Sequence, residues 1–307
     1  MKISIVIPCY NSEKSIEELV DRIVSVSVNE NYKLQIVLVN DFSKDLTLEK
    51  LEVLAEKYNQ VEAIDLMFNI GQFRALICGL EHCSGDYIVT MDDDLQHPPE
   101  EIPKMLNYLA QNDHLDVILG KPYKKEHSVY RNLGSLLIRF VNKNIFNKPK
   151  DLVMSSFRVM NSSLKDTLVS HKTMFPIVGP LILASTKRIE NIQIEHKERV
   201  YGKSNYNLSK LIKTTFDNII NFSSLPLKLI SFIGVIGMLL SVFITLYLII
   251  RYLTGGIGVA GWTSNMLLIN FYGGLTLFSI GIIGEYLIRV LQEVNGFPSY
   301  KIRKHYK

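Results

Sequence analysis

Tyr87-Ile88-Val89-Thr90-Met91-Asp92-Asp93-Asp94-Leu95-Gln96-His97-Pro98-Pro99-Glu100 is an apolar run that leads straight into three carboxylates. Proline suits the first turn of a helix, where its missing N–H is not needed, so Pro99–Gln111 is predicted to be helical. Adjacent carboxylates repel one another unless a cation or hydrogen-bond donors compensate them. Hard oxygen ligands of this kind suit Mg²⁺ or Mn²⁺, which bind through one or two carboxylates and leave other positions to water and phosphate oxygens. On an extended strand end Asp92 and Asp94 share one side, and Gln96 continues it. A solvated acidic turn capping the Pro99 helix is the plainer alternative. Placement directly after an apolar strand favours the metal.

Upstream, the same alternation repeats. Ile3–Ile7, Leu34–Val39 and Val61–Leu66 read as strands, and Val117–Leu119 follows the acidic segment as another. Lys14–Val28, Leu46–Tyr58 and Gln72–His82 carry apolar residues at helical spacing between them. Strand–helix alternation predicts an α/β fold, a mostly parallel sheet with helices on both faces. Ligands of such sheets bind beyond the carboxyl ends of the strands. The polar clusters Asn11-Ser12, Asn40-Asp41 and Asp92–Asp94 all follow strands. On its residue type alone, Asp41 reads equally as an Asx-turn residue.

From Lys121 to Leu225 the pattern is less regular. Tyr130–Asn144, Ile177–Ser185 and Leu208–Phe222 read as helices, Phe157–Met160 and Ile189–Glu195 as strands. The chain is 47% hydrophobic, and the excess lies after Pro226. Leu229–Ile250 is 22 residues without a charge, enough at about 1.5 Å per residue to reach across a hydrocarbon core of about 30 Å. Met266–Gly284 is a second uncharged run, and the linker Leu253–Asn265 has only Arg251 near it. Lys210, Lys213 and Lys228 precede the first run, while Arg289, Lys301, Arg303, Lys304 and Lys307 follow the second. The positive-inside rule then predicts a transmembrane hairpin, multi-pass in the inner membrane, with both termini and the preceding domain cytoplasmic. No cleavable signal segment is expected, since the apolar run after Lys2 is too short. Glu285 and Arg289, four apart, are expected to pair.

Other classes are disfavoured. A net charge of +4 with no basic stripe in the first two hundred residues gives no reason to expect nucleic acid as a partner. Cys9, Cys78 and Cys83 include no C-x-x-C pair, which fits reduced thiols rather than a zinc site or disulfides.

Asp92-Asp93-Asp94-Leu95-Gln96-His97-Pro98-Pro99-Glu100 resembles the D-x-D-L-Q-H-P-P-E box of family 2 glycosyltransferases acting on polyprenyl phosphates. Val6-Ile7-Pro8-Cys9-Tyr10-Asn11 is similar to that group's V-I-P-x-Y-N opening. Val39-Asn40-Asp41-Phe42-Ser43-Lys44-Asp45 resembles V-N-D-G-S-x-D, with Phe42 in place of Gly. Phe68-Asn69-Ile70-Gly71-Gln72 resembles R-N-x-G-Q, with Phe68 in place of Arg. Gly284–Arg289 resembles the closing signature of two-span bacterial members.

The resemblance implies a GT-A, Rossmann-like catalytic domain: 1–120 for the nucleotide-sugar, 121–225 for the acceptor and juxtamembrane helices, 226–292 for the hairpin, and 293–307 as a basic cytoplasmic tail. It implies an inverting transfer of a monosaccharide from a nucleotide-sugar, UDP-linked in the usual case, to polyprenyl (undecaprenyl) phosphate. Pro8, Tyr10, Asn11, Asp41, Gln72, Asp92 and Asp93 are then expected at the donor, with Asp94 and Gln96 on Mg²⁺ or Mn²⁺. Asp92, Asp94, Arg131 and Arg199 are the expected catalytic set. Arg131 and Arg139 lie eight apart on one expected helix, and with Lys203 and Ser204 they are the candidates for the acceptor phosphate. Any one of these cations could equally be a solvated surface charge. The group often has an Asp before its Phe-Arg pair as a proposed base; here Ser155-Ser156 precede Phe157-Arg158. Small residues in the spans (Gly234, Gly237, Gly273, Gly274, Gly281, Gly284) suit close helix packing, and a homo-oligomer is expected. The alternative is a non-catalytic, membrane-anchored protein that keeps a nucleotide-sugar-binding shell.

Overall fold

The computed structural model describes residues 1–123, 149, 151–171, 176–196, 225–254, 261–294 and 300–307. The chain divides into two compact units, Met1–Asn205 with Phe297–Lys307, and Tyr206–Gly296. The expected helices Tyr130–Asn144 and Leu208–Phe222 lie outside the described residues.

The first unit is built on an eight-stranded sheet ordered β7-β5-β6-β4-β1-β2-β3-β8. Its strands are β1 (Lys2–Cys9), β2 (Lys33–Asn40), β3 (Val61–Leu66), β4 (Tyr87–Thr90), β5 (Val117–Pro122), β6 (Arg158–Asn161), β7 (Ile189–Ile194) and β8 (Ile302–Tyr306). β1, β2, β3 and β4 pair in parallel, as do β5 and β7, while β6 and β8 run antiparallel to their neighbours. From Ile3 to Cys9, β1 is buried at every position. A strand covered on both faces needs an unbroken apolar run, which is what the sequence there provides.

Four helices cover the sheet beside these strands: α1 (Ile16–Asn29), α2 (Thr47–Lys57), α3 (Gln72–Glu81) and α4 (Ile102–Ala110). α1 buries Ile16, Leu19, Val20 and Ile23, one stripe of a 3.6-residue period. α3 lies against β1 because Gly79 has no side chain; a Cβ there would stand 2.3 Å from Val6 Cγ1. Gly79→Ala would therefore overpack the sheet–helix contact, at about 1–3 kcal/mol.

Two shorter helices follow, α5 (Ser162–Ser170) and α6 (Val178–Ser185). The sequence gives little sign of α5, which buries only Leu164 and Leu168. Its start is set by Asn161, whose side chain accepts from the Leu164 amide at 2.8 Å.

The last residues do not form the expected tail. β8 adds to the free edge of β3, pairing Ile64 with His305 and Asp65 with Lys304. An edge strand needs no continuous apolar run, since one side faces solvent, and this explains why Ile302-Arg303-Lys304-His305-Tyr306 reads as a basic tail.

The second unit contains α7 (Leu225–Leu253) and α8 (Trp262–Val294). They touch where the Tyr272 hydroxyl donates to the Gly237 carbonyl at 3.3 Å. Among the described residues, Phe271–Leu291 is long and apolar enough to cross a membrane by length and composition, and Pro226–Gly237 is a shorter apolar stretch. Arg289 pairs with Glu285 at 2.9 Å, as the four-residue spacing predicts.

Candidate active site

Four loops leave the carboxyl ends of β1, β2, β3 and β4 together, and their polar side chains are laced across one another. Three of them carry a non-glycine residue in the left-handed region: Asn11 (φ 55°), Phe42 (φ 57°) and Leu95 (φ 62°). That conformation costs an L-residue about 1–2 kcal/mol, and such residues gather at sites where surrounding structure imposes them.

Asn11 Oδ1 accepts from the Lys44 amide at 2.9 Å, and the Asn11 amide donates to Ser43 Oγ at 3.1 Å. These bonds tie the β1 and β2 loops. Asp41 ties the β2 loop to the segment after β3: its carboxylate accepts from the amides of Ile70 at 2.7 Å and Gly71 at 2.9 Å, and from Asn69 Nδ2 at 3.1 Å. Gly71 is needed there, because its φ of 88° turns the chain into α3 while presenting its amide to Asp41. Burial raises the Asp41 pKa, opposed by those amides and by the charge of Arg74.

The acidic run divides its labour. β4 ends at Thr90, and Asp93–Leu95 form a bend rather than an extended strand, so simple alternation does not decide where each carboxylate points. Asp92 Oδ1 accepts from Gln72 Nε2 at 2.7 Å and its Oδ2 from Ser156 Oγ at 2.6 Å. Asp93 turns toward the β1 loop, where its carboxylate accepts from the Tyr10 amide at 3.2 Å and from the Ser12 hydroxyl. Burial, with Asp92 and Asp94 beside it, pushes the Asp93 pKa up to about 6. Asp94 accepts from the Gln96 amide at 3.1 Å, closing a turn.

Behind Asp92 a small cavity is lined by Pro8, Gln72, Thr90, Ser156 and Arg158. Arg158 is buried, and its Nε donates to the Ser155 carbonyl at 2.7 Å. Burial pushes its pKa down to about 10, with the charge of Asp92 acting the other way, so the guanidinium stays protonated at neutral pH. The Arg158 charge thus lies beneath Asp92. His97 is buried against Phe157, ring centroids 5.1 Å apart, and burial lowers its pKa, which leaves it a neutral packing group.

Pro8, Tyr10, Asn11, Asp41, Gln72, Asp92 and Asp93 are thus brought into one loop cluster. Arg131, Arg139, Arg199, Lys203 and Ser204 lie outside the described residues. Sequence reasoning missed Ser156 and Arg158 as partners of Asp92. An arginine beginning the short strand Arg158-Val159-Met160-Asn161 was the available signal, because a cation inside a sheet needs a nearby anion.

Among the described residues, no three His, Cys, Asp or Glu side chains are arranged to enclose a metal. Asp92 and Asp94 instead supply a sparse set of carboxylate oxygens there, and the Gln96 amide, donating to Asp94 Oδ1, closes the turn. Such a set fits a Mg²⁺- or Mn²⁺-sized ion whose shell is completed by phosphate oxygens and water.

An acidic turn at the carboxyl edge of a mostly parallel sheet, with interlaced polar loops beside it, is the layout of a GT-A glycosyltransferase. The sequence model of glycosyl transferase family 2 matches residues 4–168, and the chain belongs to that family, in the group that uses polyprenyl phosphates. It is 30% identical to an undecaprenyl-phosphate 4-deoxy-4-formamido-L-arabinose transferase of Pseudomonas aeruginosa, over 98% of this chain and 89% of that one. The transferase of the same name from Proteus mirabilis is 31% identical, over 99% and 93%. Among solved structures, the Mycobacterium tuberculosis glucosyl-3-phosphoglycerate synthase superposes with a TM-score of 0.53 at 19% identity, covering 71% of this chain and 78% of that one. At that identity the likeness speaks for the fold alone.

Proposed function

We propose that the protein transfers a monosaccharide from a nucleotide-sugar, UDP-linked, to undecaprenyl phosphate at the cytoplasmic face of the membrane, with inversion at the anomeric carbon. The observation that carries this reading is Asp92 held at both oxygens by Gln72 and Ser156 next to Asp94, in a chain that matches undecaprenyl-phosphate transferases over nearly its full length. A carboxylate fixed in direction suits the donor's sugar or ribose hydroxyls, which it can accept from as the bond breaks. Asp94 and Gln96 would hold a divalent ion, which when bound would supply charge neutralisation for the departing nucleoside diphosphate without proton transfer.

No base is required of this chain. Ser155-Ser156 precede Phe157-Arg158, where the resembled group often has an Asp, and the Ser156 hydroxyl donates to Asp92. The nucleophile is a phosphate monoester, mostly dianionic at neutral pH because its second pKa is near 6. Such a group arrives deprotonated, and positioning by Arg131, Arg139, Arg199 and Lys203 then suffices. The helices α7 and α8 form the membrane hairpin, with both ends cytoplasmic, and the protein assembles with copies of itself through the small residues of those helices.

The test is to offer membranes carrying the protein a panel of nucleotide-sugars with undecaprenyl phosphate and Mg²⁺ or Mn²⁺, and to weigh the lipid product by mass spectrometry. One donor should yield a lipid heavier by one glycosyl residue with no added phosphate, and Asp94→Ala should abolish it. Wild-type turnover in Asp94→Ala would defeat the metal assignment. No lipid product with any donor would leave the non-catalytic reading standing.

A further inference from the structure

Phe42 is a phenylalanine where the motif it resembles carries glycine, and it holds a left-handed conformation (φ 57°) that glycine adopts without strain. The residue is 38% exposed and stands outside the buried core. Such strain persists where surrounding structure imposes it.

What holds it comes from the far end of the chain. The Arg303 guanidinium, on β8, stands over the Phe42 ring at 5.4 Å from its centroid. Arg303 is itself fixed on two sides: Nη2 donates to the Met67 carbonyl at 3.2 Å, and Nη1 lies 3.6 Å from the buried Asp65 carboxylate. Asp65 in turn accepts from Asn40 Nδ2 at 2.8 Å, and Asn40 Oδ1 accepts from the Ser43 amide at 3.1 Å. The strand edge and the β2 loop therefore set one face of the Phe42 ring, and the ring retains open surface. That loop is tied through Ser43 and Lys44 to Asn11, the neighbour of Tyr10, whose ring is 42% exposed.

We infer that Phe42, backed by Arg303 of the C-terminal strand, is an aromatic wall on which the nucleobase of the donor nucleotide stacks. This rests on the nucleotide-sugar reading above and deepens it. A fixed planar hydrocarbon with one face held and the other open suits a flat heterocycle, and the contact uses the π-face that every nucleobase has. Phe42 thus adds to affinity for the nucleoside, without reading the sugar or the phosphates. It also makes the last strand of the chain part of the donor site.

The experiment titrates the full-length protein in detergent with UDP and Mn²⁺ by calorimetry, with inorganic pyrophosphate and Mn²⁺ in a parallel series. Phe42→Gly relieves the backbone and should leave the melting temperature unchanged or higher, while UDP binds about tenfold more weakly. Pyrophosphate, having no base, should bind both proteins alike. Phe42→Tyr should restore UDP affinity, and Phe42→Leu, similar in bulk without the π-face, should not. Equal UDP affinity in wild type and Phe42→Gly overturns the wall, as does full affinity in Phe42→Leu. So does a result in which Phe42→Gly loses only its binding to anionic vesicles. Failure of the wild type to take up UDP or any other nucleoside diphosphate overturns the donor reading itself, which separates the two failures.

Discussion

Ser156 Oγ and Asp92 Oδ2 are 2.6 Å apart, a hydroxyl donating to a carboxylate 64 residues away in sequence. Gln72 holds the other oxygen, so the direction of Asp92 is set by two neutral donors from two different elements, with the Arg158 charge behind them.

Removing one donor should cost activity more than fold. A hydrogen bond to a charged group contributes about 1.5–3 kcal/mol, and part of that is direction delivered to the substrate. Ser156→Ala is expected to lower kcat/KM for the donor at least tenfold, with a melting temperature within about 2 °C of wild type. Ser156→Thr should recover part of the loss, because it keeps the hydroxyl. Steady-state transfer assays checked against thermal unfolding decide this. A variant that melts early and regains full activity when cooled would make Ser156 a structural residue only.

The same pair shows what was legible in the sequence. Asp92 stood out because three acids at the end of an apolar run are costly, and that cost is written locally. Ser156 was invisible because its value depends on a contact that only the antiparallel pairing of β4 and β6 creates. β1 was readable from Ile3–Ile7 because burial on both faces forces an apolar run, whereas β8 was not, its partner β3 being some 240 residues earlier in the chain. Asp41 was recognised only by motif. Its hold on Ile70 and Gly71 depends on two loops meeting at the sheet edge, which no local pattern records.

Covering the edge of β3 should matter to stability. β8 supplies the partner of the Asp65 carboxylate, itself 2% exposed, in Arg303. His305 adds a contact to Glu62 at 3.0 Å. Ending the chain at Lys301 would free the edge and leave a buried carboxylate without its cation, a loss of about 2–4 kcal/mol. The melting temperature of the detergent-solubilised protein should fall by several degrees, and aggregation on heating should increase as the bare edge pairs with other chains. An unchanged melting curve would show that β8 contributes nothing to the sheet.

The thiols should be inert in the folded protein. Burial raises all three, and Cys78 and Cys83 are each pushed up to about 12. Thiolate is the reactive species, so at pH 8 its population is negligible and access is blocked as well. Maleimide followed by intact-mass analysis should add nothing to the native protein within an hour, and three groups after unfolding. Rapid native labelling of Cys9 would be especially informative, since that thiol lies at the end of β1 beside Asp93.

Asp93 gives the site a pH signature. Its folded pKa of about 6 lies above the value of about 3.9 for an exposed aspartate, so the folded chain holds the extra proton between the two. The stability linked to that proton is fully present below about pH 4 and is lost as pH rises through 6. In chelator, the melting temperature of wild type should therefore carry a component that declines between pH 5 and 7, on top of all other titrations. Asp93→Asn cannot ionise, so its curve should lack that decline and lie above wild type at pH 7. Added Mn²⁺ should reduce the difference, because a cation at Asp94 favours the ionised neighbour. Parallel curves for the two proteins from pH 5 to 7 would show that Asp93 does not titrate there, and that the β1 loop holds it as an ordinary ionised carboxylate.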